Sequence, residues 1–270
     1  MTDEYPIMNF PESVIASVHR AVASALTCEA LPVRQALRML LSGKNTPIRA
    51  LVTYSFHPEQ PGIDAGTALD LIHTSLQQLH AHVDTTSGTS APLGNAATVL
   101  AGDYLTTGAF RLLVCCADMR VLALVSNAVN RASELEAANL DLDQRTRCDP
   151  LLLLQTIRLL ATPLGEAAGA AGATLAGYPE HLVDAARRYG EYLVSSHVLQ
   201  QEADDMAPSE ACSALQDAAL DLCRQATQEA RAIAAATGNG RPLELAELIA
   251  ANLGAKTSAD KPKIRTSTSS

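Results

Sequence analysis

Residue types that could do chemistry are sparse in this chain. The densest acidic group is Gln201-Glu202-Ala203-Asp204-Asp205, three carboxylates gathered shortly before Pro208. Carboxylate oxygens are what Mg²⁺ prefers, so Glu202, Asp204 and Asp205 are weak metal candidates; a solvated helix end is the plainer alternative. His80 and His82 stand two apart, on different sides of a helix, and cannot form a metal pair on one face. Six cysteines, at positions 28, 115, 116, 148, 212 and 223, make no C-x-x-C pair and have no His at zinc-like spacing. Cys115 and Cys116 lie in an apolar run and read as free thiols packing as small hydrophobes. Lys44 closes a loop, ordinarily a solvated place. His73 sits on an otherwise apolar helix face, the setting of a packed, hydrogen-bonded histidine.

The elements that must position these residues are helical. Of the 270 residues 47% are apolar but only 3% aromatic, and there is no Trp. The apolar mass is Ala and Leu, the cheapest helix formers, which points to an all-α protein with one sizeable core. Apolar periodicity and Pro/Gly breaks place helices at about 11–27, 32–42, 48–56, 65–84, 94–114, up to 137, up to 175, 179–205, 209–236 and 242–253. Gln60-Pro61-Gly62 reads as a loop, Thr85–Pro92 as a break, and the polar run Asp141–Asp149 as a loop whose end caps a helix. No linker divides two cores, so residues 1–254 form one domain of about ten helices. The Lys/Ser/Thr-rich stretch 255–270 reads as a disordered tail.

A formal net charge of −9 excludes a nucleic-acid surface, which needs a basic stripe to neutralise phosphates. The opening MTDEYPIMNF lacks the layout of a signal peptide, and no run approaches the roughly 18 uninterrupted apolar residues of a spanning helix. A cytoplasmic protein without a membrane span is expected.

Several blocks are less anonymous. Gly94-Asn-Ala-Ala-Thr-Val-Leu-Ala-Gly102-Asp103-Tyr104-Leu105, followed by Ala109-Phe110, resembles the trans-isoprenyl diphosphate synthase family, whose pattern is a Gly, an apolar stretch, L-x-G-D-x-L and A-F. Ala68-Leu-Asp-Leu-Ile-His73-Thr74-Ser75-Leu76 is similar to that family's E-L-I-H-T-x-S-L helix. Ser42-Gly43-Lys44 stands at its G-K-R-x-R-P turn, and Tyr189-Gly190 at its Y-G. The resemblance covers about residues 30–255 and implies a bundle of about ten helices around a central apolar cavity. It also implies that Lys44 and His73, with Arg49 displaced by two from the family's Arg, would hold a diphosphate. Gly102, Tyr104, Leu105 and Phe110 would lie at or near a dimer interface.

What the family needs for catalysis is missing. Ionising an allylic diphosphate requires Mg²⁺ on two D-D-x-x-D motifs. Here the first reads His80-Ala81-His82-Val83-Asp84 and the second Gln201-Glu202-Ala203-Asp204-Asp205, while the family's K-T pair reads Leu160-Ala161. The resemblance is therefore closest to the small subunit of a heterodimeric synthase, such as component 1 of heptaprenyl diphosphate synthase. That implies a catalytic large subunit as partner, Mg²⁺ bound there rather than by this chain, and prenyl diphosphates as shared substrates. A divergent Mg²⁺-dependent prenyltransferase or terpene cyclase, and a prenyl- or lipid-binding module, remain open alternatives.

Overall fold

The computed structural model describes residues 12–27, 46–79, 95–140 and 149–259. Lys44, His80, His82, Asp84, Cys28 and Cys148 lie outside them, as do the expected helix 32–42 and the break 85–92. Among the described residues there are nine α-helices, one π-helical segment and no strand. In chain order they are α1 (Glu12–Ala25), α2 (Ile48–Phe56), α3 (Gln60–His73) with the π segment Thr74–Leu79, α4 (Asn95–Cys115), α5 (Met119–Leu140), α6 (Pro150–Leu175), α7 (Glu180–Asp205), α8 (Glu210–Thr237) and α9 (Arg241–Ala259).

The nine-residue α2 is the innermost helix: every residue from Ile48 to Phe56 except Tyr54 is buried. A helix buried this completely must pair its polar side chains inside the protein, as Arg49, Thr53 and Ser55 do. Two glycines let neighbours reach its backbone. A Cβ on Gly66 of α3 would meet Ala50 Cα at 2.5 Å, and one on Gly172 of α6 would meet Thr53 O at 2.8 Å. Thr53 Oγ1 bonds back to Arg49 O at 3.0 Å and across to Ala168 O of α6 at 3.1 Å, so its hydroxyl is satisfied in the core.

Local chemistry explains the boundaries. Asp149 caps α6, accepting from the backbone N–H of Leu151 at 2.9 Å and Leu152 at 3.2 Å, as expected for the end of that polar run. Ser209 caps α8 through the N–H of Cys212, and Gly238 ends it in the left-handed conformation.

Three expectations are corrected. Gln60-Pro61-Gly62 is the first turn of α3 rather than a loop, because a proline there lacks only an N–H that has no helical partner anyway. The regular part of α3 ends at His73, and Thr74–Leu79 widens into a π-helical turn. The last helix runs to Ala259, past the expected start of the tail at Ala255; its Ala and Lys residues are good helix formers.

Of the described helices, α6 is long and apolar enough to cross a membrane by length and composition. Its Ala/Gly-rich half, however, is buried against α7 from Ala161 to Thr174, apart from the half-buried Thr162 and Glu166.

Candidate functional site

Asp70 projects from α3 to the start of α2. Pro47 stands at the α2 N-cap position with no side chain able to cap, and Asp70 supplies what is missing from a neighbouring helix. Its carboxylate accepts from the N–H of Ala50 at 2.9 Å and of Arg49 at 3.3 Å. A negative charge at this end also meets the positive end of the α2 dipole. The same carboxylate pairs with Arg49 Nη1 at 3.4 Å, the Arg49 side chain being 2% exposed and that of Asp70 19%.

Arg49 then reaches on to His73, with Nη2 and Nδ1 3.0 Å apart. Since the guanidinium can only donate, Nδ1 is the acceptor and the His73 proton belongs on Nε2. Burial, the Arg49 charge and nearby His197 of α7 hold the His73 imidazole well below its usual range, so it is neutral at neutral pH. Burial raises the Asp70 carboxyl, while Arg49 and the two backbone N–H groups pull it back. Desolvation lowers the Arg49 guanidinium, which starts far above neutrality and stays charged.

The structure thus joins two of the three residues named from sequence for substrate binding, Arg49 and His73; the third, Lys44, lies outside the described residues. Two further members went unread. Asp70 had a signal, being an acid on an apolar helix at the Glu of E-L-I-H. His197 had none, standing directly after Ser195-Ser196 in a helix of mixed character.

The acidic group gathers no metal-ligand cluster among the described residues. Ala203 points inward with Leu199, Cys212 and Leu215, which turns Glu202, Asp204 and Asp205 outward, and all three are exposed. Asp204 accepts from Gln200 one turn back at 2.7 Å. Among the described residues no group of three or more His, Cys, Asp or Glu could hold a metal ion. At the K-T positions Ala161 is buried and Leu160 half-buried, and neither can bind an anion through its side chain. Exposed in this way, these three carboxylates make no octahedral set of their own among the described residues.

Of the four interface candidates, two are buried and two, Tyr104 and Phe110, are half-buried. Leu105 is fully buried, and Gly102 is buried with its carbonyl accepting from Ser75 at 2.8 Å. The hydroxyl of Tyr104 donates to Thr27 O at 2.5 Å, and Phe110 leans on the same core. Helical periodicity gives the outward face of α4 to other residues: Val99, Leu100, Asp103, Thr107 and Val114. Leu100 is 59% and Val114 69% exposed, and Met119 at the start of α5 is 75% exposed.

Cysteine chemistry divides in the same way. Cys116 is buried, donates to Pro61 O at 3.3 Å and has its thiol pushed up to about 12, mainly by burial, so it is inert. Cys115 is exposed, contrary to its expected packing role, because successive helix positions face different ways.

No protein-family model matches the sequence. It is similar to the octaprenyl diphosphate synthase of Haemophilus influenzae, 31% identical over 150 residues, covering 53% of this chain and 45% of that protein. The octaprenyl diphosphate synthase of Escherichia coli is 26% identical over 191 residues, 66% of this chain and 59% of that one. The chain thus spans about half the length of the curated relatives it matches. In three dimensions it is similar to a polyprenyl synthase from Caulobacter crescentus complexed with calcium and isoprenyl diphosphate (TM-score 0.73, 21% identity, 88% of this chain and 94% of that one). A decaprenyl diphosphate synthase from Rhodobacter capsulatus gives TM-score 0.70 at 17% identity over 89% and 96%. The fold is that of the isoprenoid synthases, and the sequence relatives support the trans-isoprenyl diphosphate synthases as the family within it that this chain resembles.

Proposed function

We propose that this chain is the non-catalytic small subunit of a heterodimeric trans-polyprenyl diphosphate synthase of the cytoplasm. It would activate a catalytic large subunit and help set the length of its product. The observation that carries the reading is a separation. The helical scaffold follows the synthases, yet Glu202, Asp204 and Asp205 face solvent and no three-ligand acidic cluster stands among the described residues. Magnesium would then be bound by the partner, and this chain would contribute packing and one anion pocket, Arg49–His73. The exposed Leu100 and Val114 on α4 offer the partner separate apolar contacts along its outward face.

The test is a synthase assay with farnesyl diphosphate, labelled isopentenyl diphosphate and Mg²⁺. This chain, a homologue with two intact D-D-x-x-D motifs, and their mixture are run in parallel. Long prenyl diphosphate from the mixture alone is the expected result.

The names of the relatives favour a second reading, a divergent magnesium-dependent prenyltransferase. Turnover by this chain in isolation would establish it and sink the subunit proposal. A prenyl- or lipid-binding module would leave every arm of the assay unchanged by this chain.

A further inference from the structure

The π-helical turn Thr74–Leu79 continues α3 with no local cause. Its sequence, Thr74-Ser-Leu-Gln-Gln-Leu79, holds neither Gly nor Pro, and π turns are rare and gather at functional places. Two of its side chains tie it to different helices. Ser75, fully buried, donates to Gly102 O of α4 at 2.8 Å and accepts from Thr106 Oγ1 at 3.0 Å. Gln77 donates through Nε2 to Leu160 O of α6 at 3.2 Å. Thr74 bonds back within its own helix, to Asp70 O at 2.9 Å. A third helix meets Gln77 less comfortably. The buried stripe of α5 runs Val121, Val125, Ala128, Ala132 and then Glu136, a carboxyl 9% exposed where the spacing puts an apolar side chain. Gln77 reaches this carboxyl, yet Glu136 Oε1 is buried and has no partner. An unpaired buried acceptor is costly. The wide turn thus joins an unfavourable backbone to an unsatisfied oxygen, offset by the bonds of Ser75 and Gln77, which leaves little energy between it and a regular α-helix.

We infer that Thr74–Leu79 is a two-register switch, wide as a π turn and tight as a continued α-helix, latched wide by Gln77, and that α4 and α6 are coupled through it. Tightening by one residue turns each later side chain by about 100° around the helix axis, since about 3.6 residues complete a turn. Ser75 and Gln77 cannot both keep their partners through such a rotation, so α4 and α6 lose their ties to the segment together. A two-state element biased from both sides is the physical basis that coupling between separate helices needs. Because α4 carries the exposed Leu100 and Val114, a protein docked on that face has a route to α6. The switch itself belongs to the isolated chain and stands apart from the subunit reading.

The experiment is methyl relaxation dispersion by nuclear magnetic resonance on the full chain, with Leu and Thr methyls labelled. Three half-buried probes report: Leu76 in the segment, Thr106 on α4 and Leu160 on α6. The expected result is microsecond-to-millisecond exchange at all three, with one rate and one minor-state population. In Gln77→Leu, checked for folding by circular dichroism, that population should rise several-fold and up to about tenfold, the size of one lost buried hydrogen bond. Deleting Thr74 takes one residue out of the wide turn, leaves the α register alone available, and should abolish the exchange at all three probes. Fraying of a helix end is the plainer account. It gives exchange at Leu76 without a common rate at Thr106 and Leu160, and exchange that survives the deletion. Either of those results, flat profiles at every probe, or a population unmoved by Gln77→Leu would overturn the switch. Should the shortened chain not fold, the shared rate and the Gln77→Leu population decide between the two accounts.

Discussion

Asp70 does three things at once, and each fails differently if the residue changes. It caps α2, neutralises a buried Arg49, and through Arg49 fixes which nitrogen of His73 carries the proton. Asp70→Asn keeps the shape and one acceptor oxygen but removes the charge. Removing one partner from a buried pair leaves the other uncompensated, so we expect about 3 kcal/mol of lost stability, measured as a lower urea midpoint at unchanged slope. Arg49→Met in the same background should recover part of that loss, since no buried charge is left to compensate. Equal destabilisation by the single and double variants would mean that Asp70 acts through the cap alone.

Helix α2 shows how legible the elements were, and α3 where legibility stopped. Pro47 on one side and His57-Pro58 on the other bracket α2, and its expected span matches the structure residue for residue. Punctuation misleads at Pro61-Gly62, because whether Pro breaks a helix or opens one depends on its distance from the first turn. The π segment had no sequence signal. It depends on tertiary contacts, including the hydroxyl of Ser75 on Gly102 O and the amide of Gln77 on Leu160 O at 3.2 Å. The crossing of α6 and α7 was equally silent: Gly165, Gly169 and Gly190 are visible as small residues but not as partners. A Cβ on Gly169 would stand 1.8 Å from Ala186 O, and one on Gly190 2.2 Å from Gly165 O. Gly169→Ala must therefore push two backbones apart, at a cost of about 2–3 kcal/mol or more. Gly254 in α9 faces open space, and Gly254→Ala should gain up to ~1 kcal/mol from helix propensity. Thermal melts followed by far-UV circular dichroism should move in opposite directions for the two; a shared direction would contradict this account of the crossing.

At the scale of the whole molecule, the site was only half legible because its members come from helices far apart in sequence. His73 could be named from its own helix, but His197 joins it only through the packing of α7. Which side chains of α4 face outward was illegible for a related reason. A resemblance assigns a helix to an interface, whereas the phase of that helix decides which side chains face out. On α4 the inward phase takes Gly102 and Leu105, leaving Leu100 and Val114 at the surface. The subunit proposal makes that outward face the docking surface, and a charge placed there must then be desolvated on assembly, which is costly without a partner ion. Leu100→Glu and Val114→Glu should each weaken association with the catalytic homologue at least tenfold, read as loss of the heterodimer peak in sedimentation velocity, with melting of the isolated chain unchanged. Leu151→Glu, on the exposed start of α6 and 65% exposed in the wild type, serves as the control and should leave the heterodimer intact. If Leu151→Glu disrupts assembly and the α4 variants do not, the partner sits on the α6 side, and the outward face of α4 has some other occupant.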